Sequence, residues 1–320
     1  MTHTLSVIVP NYNHAHYLPT SLGAIVAQGR AADEIIVIDD GSDDDSLEVI
    51  GTFARQFDNI RVISCGDNQG LTANCLLALR EARGEYIYWA AADDRVLPGL
   101  FESSMDQLRR HPGAALCFSD PASFGDNGVI KVVPLRLSEK PKFFAPAAIV
   151  AARRQHVFDI AHHTAPVKTA ILREMGAFNP RLKWHCDWFT LWVMAFRHGA
   201  CYIPRPLAAI RTSRDSYSSP AMRTAEEELS VYRSMLELLD SADYSDVAGA
   251  FRESCAFSIC GFKMWRVMGE RPRWASYRSP RLLSQIMRNQ WWRVVGARTP
   301  KWMRGAYRRI AVKRTAVIAE

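Results

Sequence analysis

Long apolar runs are missing from this chain of 320 residues. The longest, Tyr86 to Ala92 and Phe189 to Phe196, fall far short of the roughly 18–20 residues that cross a bilayer. Met1-Thr-His-Thr4 leads straight into a strand-like run, without a basic segment and an apolar signal core. The expectation is therefore a chain that is not exported. Cysteines number seven and are scattered from Cys65 to Cys260, with no Cys-x-x-Cys. An odd, dispersed set supports neither a disulfide framework nor a zinc ribbon, and a reducing cytoplasm fits best. Also missing are a Gly-x-Gly-x-x-Gly after the first strand and a Gly-Lys-Ser/Thr loop. Pro10-Asn11-Tyr12-Asn13 stands there instead, which disfavours a nicotinamide enzyme or a P-loop kinase.

What is present is globular: 48% hydrophobic and 23% charged residues, ample for a large core. The net charge of +7 is lopsided. Lys263 to Glu320 holds 15 Lys and Arg against two Glu, a balance of +13, which leaves −6 for residues 1 to 262. Such asymmetry marks a partner surface of opposite sign.

Over the first 120 residues, short β-rich runs alternate with helical patterns. Strands are expected at Leu5 to Pro10, Glu34 to Ile38, Ile60 to Ile63 and Tyr86 to Ala90. Helices are expected at Tyr17 to Gln28, Ser46 to Phe57 and Thr72 to Ala82. Alternation of this kind predicts an α/β fold with a mostly parallel sheet flanked by helices. Residues 121–150, with four prolines, read as loops and edge strands. Further helices are expected at Lys168 to Met175 and Asp187 to His198, then a short strand at Cys201 to Ile203. From Ala221 the chain reads as mostly helical, broken near Gly269 to Pro272, Ser279-Pro280 and Thr299-Pro300. No internal repeat is evident.

Ligands of parallel sheets gather beyond the carboxyl ends of the strands. The polar clusters fall there: Asn11-Tyr12-Asn13, Asp39-Asp40 and Asp93-Asp94. A divalent cation prefers oxygen ligands, and these carboxylates are candidates to hold one. The competing reading is structural. Asp93-Asp94 would cap the next turn, and Asp39 to Asp45 would form a strand-to-helix turn with helix-capping carboxylates. For Asp43, Asp44 and Asp45 the capping reading is taken. For Asp39 and Asp40 both stay open.

Five blocks in order carry a resemblance. Ser6-Val-Ile-Val-Pro-Asn-Tyr-Asn13, Glu34-Ile-Ile-Val-Ile-Asp-Asp-Gly-Ser42, Asn68-Gln-Gly70, Ala82-Arg-Gly-Glu-Tyr-Ile87 and Ala92-Asp-Asp94 together resemble family 2 glycosyltransferases of the GT-A fold. The resemblance covers residues 5 to 120 and extends more weakly to about 215. It implies a GT-A catalytic domain over residues 1–219, with a nucleotide-binding half (1–120) and an acceptor-binding half (121–219). A helical, basic extension would follow at 220–320. The implied activity is transfer of a sugar, with inversion, from a nucleotide-diphospho-sugar such as a UDP-sugar. The acceptor would be a hydroxyl of a glycan or lipid-linked saccharide.

By the same resemblance, Pro10, Tyr12, Asp39 and Asp40 would line the nucleobase pocket, and Asn68 would lie near the base or ribose. Asp93 would match the last carboxylate of the family's Asp-x-Asp signature and meet Mn²⁺ or Mg²⁺. The signature's first carboxylate is replaced by Ala91. Within Lys183-Trp-His-Cys-Asp-Trp188, Asp187 would match the catalytic base that takes the acceptor's proton. Trp184 and Trp188 would wall a sugar, against the alternative of core tryptophans beside a capping aspartate. Asp94, Arg211 and one of the histidines of His162-His163-Thr164, His163 first, are further candidates on the acceptor or sugar side, with the histidines set against a structural role. Arg211, Arg214 and Ser216 to Ser218 also match a loop that, in the family, closes over the donor diphosphate.

The basic tail keeps three readings. Trp302, Met303, Ala306, Ile310 and Val317, among Lys301, Arg304, Arg308, Lys313 and Arg314, suit a helix lying on an anionic membrane surface. The same stripe could pack on the catalytic domain. Nucleic-acid binding is weaker, because no recognised module accompanies the charge. The chain is thus expected to be cytoplasmic, with a peripheral membrane position among the alternatives. For the whole protein, the alternative to an enzyme is a catalytically impaired nucleotide-sugar binder or scaffold, favoured by Ala91. A nucleotidyltransferase would show a Gly-rich, cationic loop after the first strand, which Pro10 to Asn13 is not.

Overall fold

The computed structural model describes residues 3–212, 223–298 and 316–318, with side chains described as far as Trp291. The nucleotide half is a parallel sheet of β1 (Leu5–Asn11), β2 (Glu34–Asp39), β3 (Ile60–Ser64) and β4 (Tyr86–Trp89), in the order β3-β2-β1-β4. Crossovers α1 (Leu18–Val26), α2 (Ser46–Gln56) and α3 (Leu71–Glu81) join them. After β4 come β5 (Arg95–Val96), α4 (Leu100–Arg110), β6 (Leu116–Phe124), β7 (Ile130–Val132) and β8 (Lys142–Phe144). Next are α5 (Pro146–Gln155), β9 (Val167–Lys168), α6 (Thr169–Glu174) and α7 (Cys186–His198). β10 (Ala200–Arg211) closes this half, pairing parallel with β6 and antiparallel with β5 and β8. β9 joins the halves by pairing antiparallel with both β4 and β6.

Strand alternation divides the core. Leu5, Val7, Val9, Ile35 and Val37 face one side with α1, α2 and α4, while Ile8, Ile36 and Ile38 face the other with α3, α5 and α7. Each side chain of these continuous apolar runs is therefore covered, as a sheet buried on both faces requires. The end of the sheet away from the polar clusters is pinned through Ser6, whose hydroxyl donates to Glu34 Oε1 at 2.5 Å and accepts from Gly84 N at 2.8 Å. A Cβ at residue 84 would lie 2.5 Å from Ser6 N, which only glycine avoids.

The C-terminal helices α8 (Ala225–Asp240), α9 (Ser245–Ser254), α10 (Gly261–Val267), α11 (Pro272–Ala275) and α12 (Pro280–Arg298) follow. Their apolar faces belong to the same hydrophobic cluster as α5 and α7. β11 (Ala316–Ile318) pairs antiparallel with β7, so Val317 lies in a strand and does not extend a basic helix. Arg214, Ser216 to Ser218, and Lys301 to Arg314 with Trp302, Met303, Ala306 and Ile310 lie outside the described residues.

Two expectations are corrected. Pro146 begins α5 rather than marking a loop, because the first helical turn needs no N–H at that position. β10 extends nine residues on either side of the expected Cys201 to Ile203 taken together, running past Pro204 and Pro206. The ladder to β6 shifts register on both sides of Pro206, which accommodates the missing donor.

Candidate active site

The polar clusters do sit at the carboxyl rim of the parallel strands. β1 and β2 end in register, with Asn11 opposite Asp39. Asp39 is fully buried, and its carboxylate accepts from Asn11 Nδ2 (2.8 Å), Ser42 N (3.0 Å) and Ser42 Oγ (2.7 Å). Its oxygens are thereby committed to the turn. Asp40, also buried, accepts from Gln69 N (2.8 Å) and Gly70 N (2.9 Å). That bond holds the loop with exposed Asn68 against the start of α3. Pro10 is half-buried, while Tyr12, next after Asn11, is 43% exposed.

After β4 the chain turns at Ala91, with Asp94 N donating to Ala91 O. Asp93 is half-buried and Asp94 accepts from Arg211 N at 2.8 Å, tying this turn to the end of β10. Burial and the neighbouring charge of Asp93 push the Asp94 carboxyl up to about 8, against the pull of Arg211. The Arg211 guanidinium lies 4.3 Å from the Tyr17 ring centroid and 4.7 Å from that of Phe124, and pairs with Asp126 at 3.3 Å. Arg211 and Asp94 are thus neighbours on the α1 side of the rim.

Asp187 enters from the other half. Asn179 caps a short 3-10 helix over Pro180–His185, its side chain accepting from Arg181 N at 3.0 Å. Lys183 then takes φ 45° and ψ −124°, a costly conformation for a side chain other than glycine. It is held by an ion pair of 2.7 Å to Glu227 in the first turn of α8. The kink turns the chain into α7, placing Asp187 in its first turn, where the helix dipole favours a carboxylate. Asp187 Oδ1 accepts from Trp188 N, and Oδ2 lies 3.6 Å from His162 Nδ1. The His162 ring packs against Trp89 of β4 and Phe178. Cys75, in α3, feels the charge of Asp187, and Cys65, at the end of β3, feels Asp39 and Asp40. α3 therefore lies between Asp40 and Asp187, while His162 and Trp89 connect Asp187 to the strand leading to Asp93.

The tryptophans part company. Trp188 is 8% exposed, packs on Phe251 and Phe257, and donates from Nε1 to Asp159 Oδ1 at 3.1 Å. It belongs to the core and is corrected out of the sugar wall. Trp184 is half-buried under the Arg223 guanidinium, 4.7 Å from its centroid. The His163 carbonyl accepts from Tyr88 Oη at 2.8 Å, and burial beside His162 lowers the His163 imidazole to about 4. His162 belongs to the His162-His163-Thr164 segment that the sequence already marks, whereas nothing local marks Asp159, which gains meaning only from the packing of α7.

Several buried polar atoms around this rim have no hydrogen-bond partner among the described residues: Asn11 Oδ1, Trp89 Nε1, His162 Nε2, Trp184 Nε1 and Arg211 Nε. Native interiors satisfy nearly all such atoms, so a cluster of exceptions indicates where ligand or water completes the structure. For a metal, the described residues contain no group of three or more His, Cys, Asp or Glu able to hold one. What they offer is Asp93 beside Asp94, whose ionisation is suppressed first by burial and then by the charge of Asp93. That fits a hard cation held by one or two carboxylates and a diphosphate better than a protein cage.

This architecture is the GT-A fold. Residues 1–349 of S. aureus TarS, in complex with UDP-GlcNAc, match with a TM-score of 0.64 over 96% of this chain and 92% of that one, at 18% identity. A Pyrobaculum calidifontis mannosyltransferase, in complex with GDP-Man and Mn²⁺, matches at 0.50 and 14% identity, over 90% of this chain and 86% of that one. Residues 6–176 match Glycosyl transferase family 2, and the chain belongs to that family. Among curated relatives, the Escherichia coli glycosyltransferase YibD is 34% identical over 104 residues, 32% of this chain and 30% of YibD. GlyG of Streptococcus pneumoniae is 33% identical over 34% of this chain and 36% of its own, so the matches span about a third of these relatives. A Campylobacter jejuni GalNAc(5)-diNAcBac-PP-undecaprenol beta-1,3-glucosyltransferase is 25% identical over 79% of each chain.

Proposed function

We propose that this protein transfers a sugar, with inversion, from a UDP-sugar to an acceptor hydroxyl of a glycan or lipid-linked saccharide. One observation carries the reading: Asp187, a carboxylate 36% exposed, stands in the first turn of α7 next to His162, which packs on the strand leading to Asp93. The nucleobase would rest against Pro10 and the exposed Tyr12 ring, with Asp40 holding the Asn68 loop that borders it. Asp39 supports this pocket from below through its bonds to the turn. Asp93 would hold Mn²⁺ or Mg²⁺ together with the donor diphosphate. The cation's chemistry is to stabilise charge developing on the leaving phosphate.

Asp187 takes the proton from the acceptor hydroxyl as that oxygen attacks the anomeric carbon from the face opposite the departing nucleotide. His162 orients the carboxylate for this task. The half-buried Trp184 offers an indole face, and Arg211 and Asp94 brace the donor side. Residues 1–219 would form the catalytic unit and residues 220–320 a helical, basic extension. The donor precedent comes from proteins of the same fold, bound in their structures to UDP-GlcNAc and GDP-Man.

A thermal-shift screen of nucleotide sugars, with and without Mn²⁺, tests the reading. Selective stabilisation by one UDP-sugar is expected, greater with metal, since ligand bound only to the native state raises stability by mass action. Indifference to every nucleotide would overturn it. Ala91 favours a second reading, an impaired binder or scaffold, which predicts nucleotide-sugar binding without UDP release.

A further inference from the structure

Among the described residues of the C-terminal helices, the large exposed apolar side chains are Phe262 (48%), Met287 (56%) and Trp291 (46%). α12 turns Leu282, Gln285 and Ile286 inward, and Gln285 Nε2 donates to Arg154 O at 3.1 Å. Among the described residues its exposed positions are Pro280, Arg281, Ser284, Met287, Arg288 and Trp291. At about 100° per residue these fall within an arc of about 120°. Met287 and Trp291 occupy one flank of that arc, Arg281 and Arg288 the other. The start of α10, which carries Phe262, lies beside α12, since a Cβ at Gly261 would meet Gln290 Nε2.

The charge is one-sided too. Residues 280–298 contain four arginines and no acidic residue. Lys263, Arg271 and Arg273 are neutralised by Glu228, Glu237 and Asp240 of α8, whereas Arg281 and Arg288 form no ion pair among the described residues. The stripe also has a definite place. α12 rests on residues 256–260, where Asn289 Nδ2 donates to Ser258 O. Behind that segment the buried Arg153 donates to Ala256 O and Ser258 Oγ, 4.0 Å from Asp159, and Asp159 accepts from Trp188 next to Asp187. α12 is thus tied through a buried chain of contacts to Trp188, the residue after Asp187.

We propose that the exposed stripe of α12, together with Phe262, docks on an anionic lipid bilayer. This rests on the reading of a membrane-borne acceptor: the apolar flank enters the headgroup boundary and the arginines meet lipid phosphate. Docked this way, the enzyme is held at the surface that bears its acceptors.

Co-sedimentation of the full chain with POPC vesicles and with 3:1 POPC:POPG vesicles tests this, with UDP release measured on the same samples. Binding should require POPG and weaken with salt. Each cation contributes about fivefold, so Arg281→Glu with Arg288→Glu should lower the partition coefficient at least tenfold. Phe262→Ser with Met287→Ser should do so about tenfold, and Arg109→Glu on α4 should leave it unchanged. Unchanged binding by both stripe variants would overturn the proposal, as would self-association by light scattering without vesicle binding. UDP release without sedimentation would remove the docking face and leave the transferase reading standing; sedimentation without UDP release would do the reverse.

Discussion

Replacing Asp39 separates scaffold from chemistry. Its buried carboxylate accepts three hydrogen bonds, and Asn11, itself 2% exposed, has little access to water in exchange. Hydrogen bonds to a charged acceptor contribute about 1.5–3 kcal/mol each, and removing one partner strands the other. Ser42 is half-buried and can recover solvent, so Asp39→Ala should cost about 4 kcal/mol. With an unfolding entropy of about 2.1 cal/mol/K per residue over this chain, the Tm should fall by roughly 6 °C. Asp39→Asn keeps one acceptor but opposes an amide donor to Asn11, and should fall between Ala and the parent. Differential scanning fluorimetry with urea denaturation measures both. A normal Tm combined with lost UDP binding would refute the reasoning, because Asp39 would then act on the donor directly.

Burial lowers the imidazoles of His163 and His185 to about 4, below the ordinary value near 6.5. The unfolded chain then binds more protons, so stability is full above pH 6.5 and declines as pH falls toward 4, by roughly 2–3 kcal/mol per histidine. His163→Gln should flatten part of that slope in urea midpoints taken between pH 7.5 and 5. A midpoint that rises on acidification would contradict the assignment. Trp188→Phe deletes the bond to Asp159 behind the base, and is expected to lower kcat several-fold with KM for the donor nearly unchanged. An equal rise in KM would argue against a positioning role. Asp93→Ala should raise the Mn²⁺ concentration needed for half-maximal UDP release at least tenfold, and an unchanged metal requirement would move the cation elsewhere. Gly84→Ala should unfold or strongly destabilise the chain, because the added Cβ meets backbone that the sheet holds fixed.

The parallel sheet was legible because β1, β2 and β4 are short apolar runs ending in polar clusters, a pattern local to each segment. What was not legible depends on distant packing. Asp40 stays open between a turn and a pocket in the sequence, and only the fold shows the 66–70 loop donating two backbone amides to it. Trp188 and Trp184 are alike in sequence, yet the direction of α7 buries one ring against Phe251 and leaves the other half-exposed. Asp159 stands in Val157-Phe158-Asp159-Ile160 without any motif, and only α7 brings it an indole partner. Pro146 falls in a stretch that reads as loop and edge strand, because proline alone does not distinguish a helix start from a loop.

The rate of UDP release at saturating donor by Asp187→Asn, beside the parent, tests the assembled rim most directly. A positioned general base contributes about 10²–10⁴ in rate, so release should fall at least 100-fold while calorimetric affinity for UDP with Mn²⁺ stays within threefold. Release at the parental rate would contradict the account, whatever the affinity.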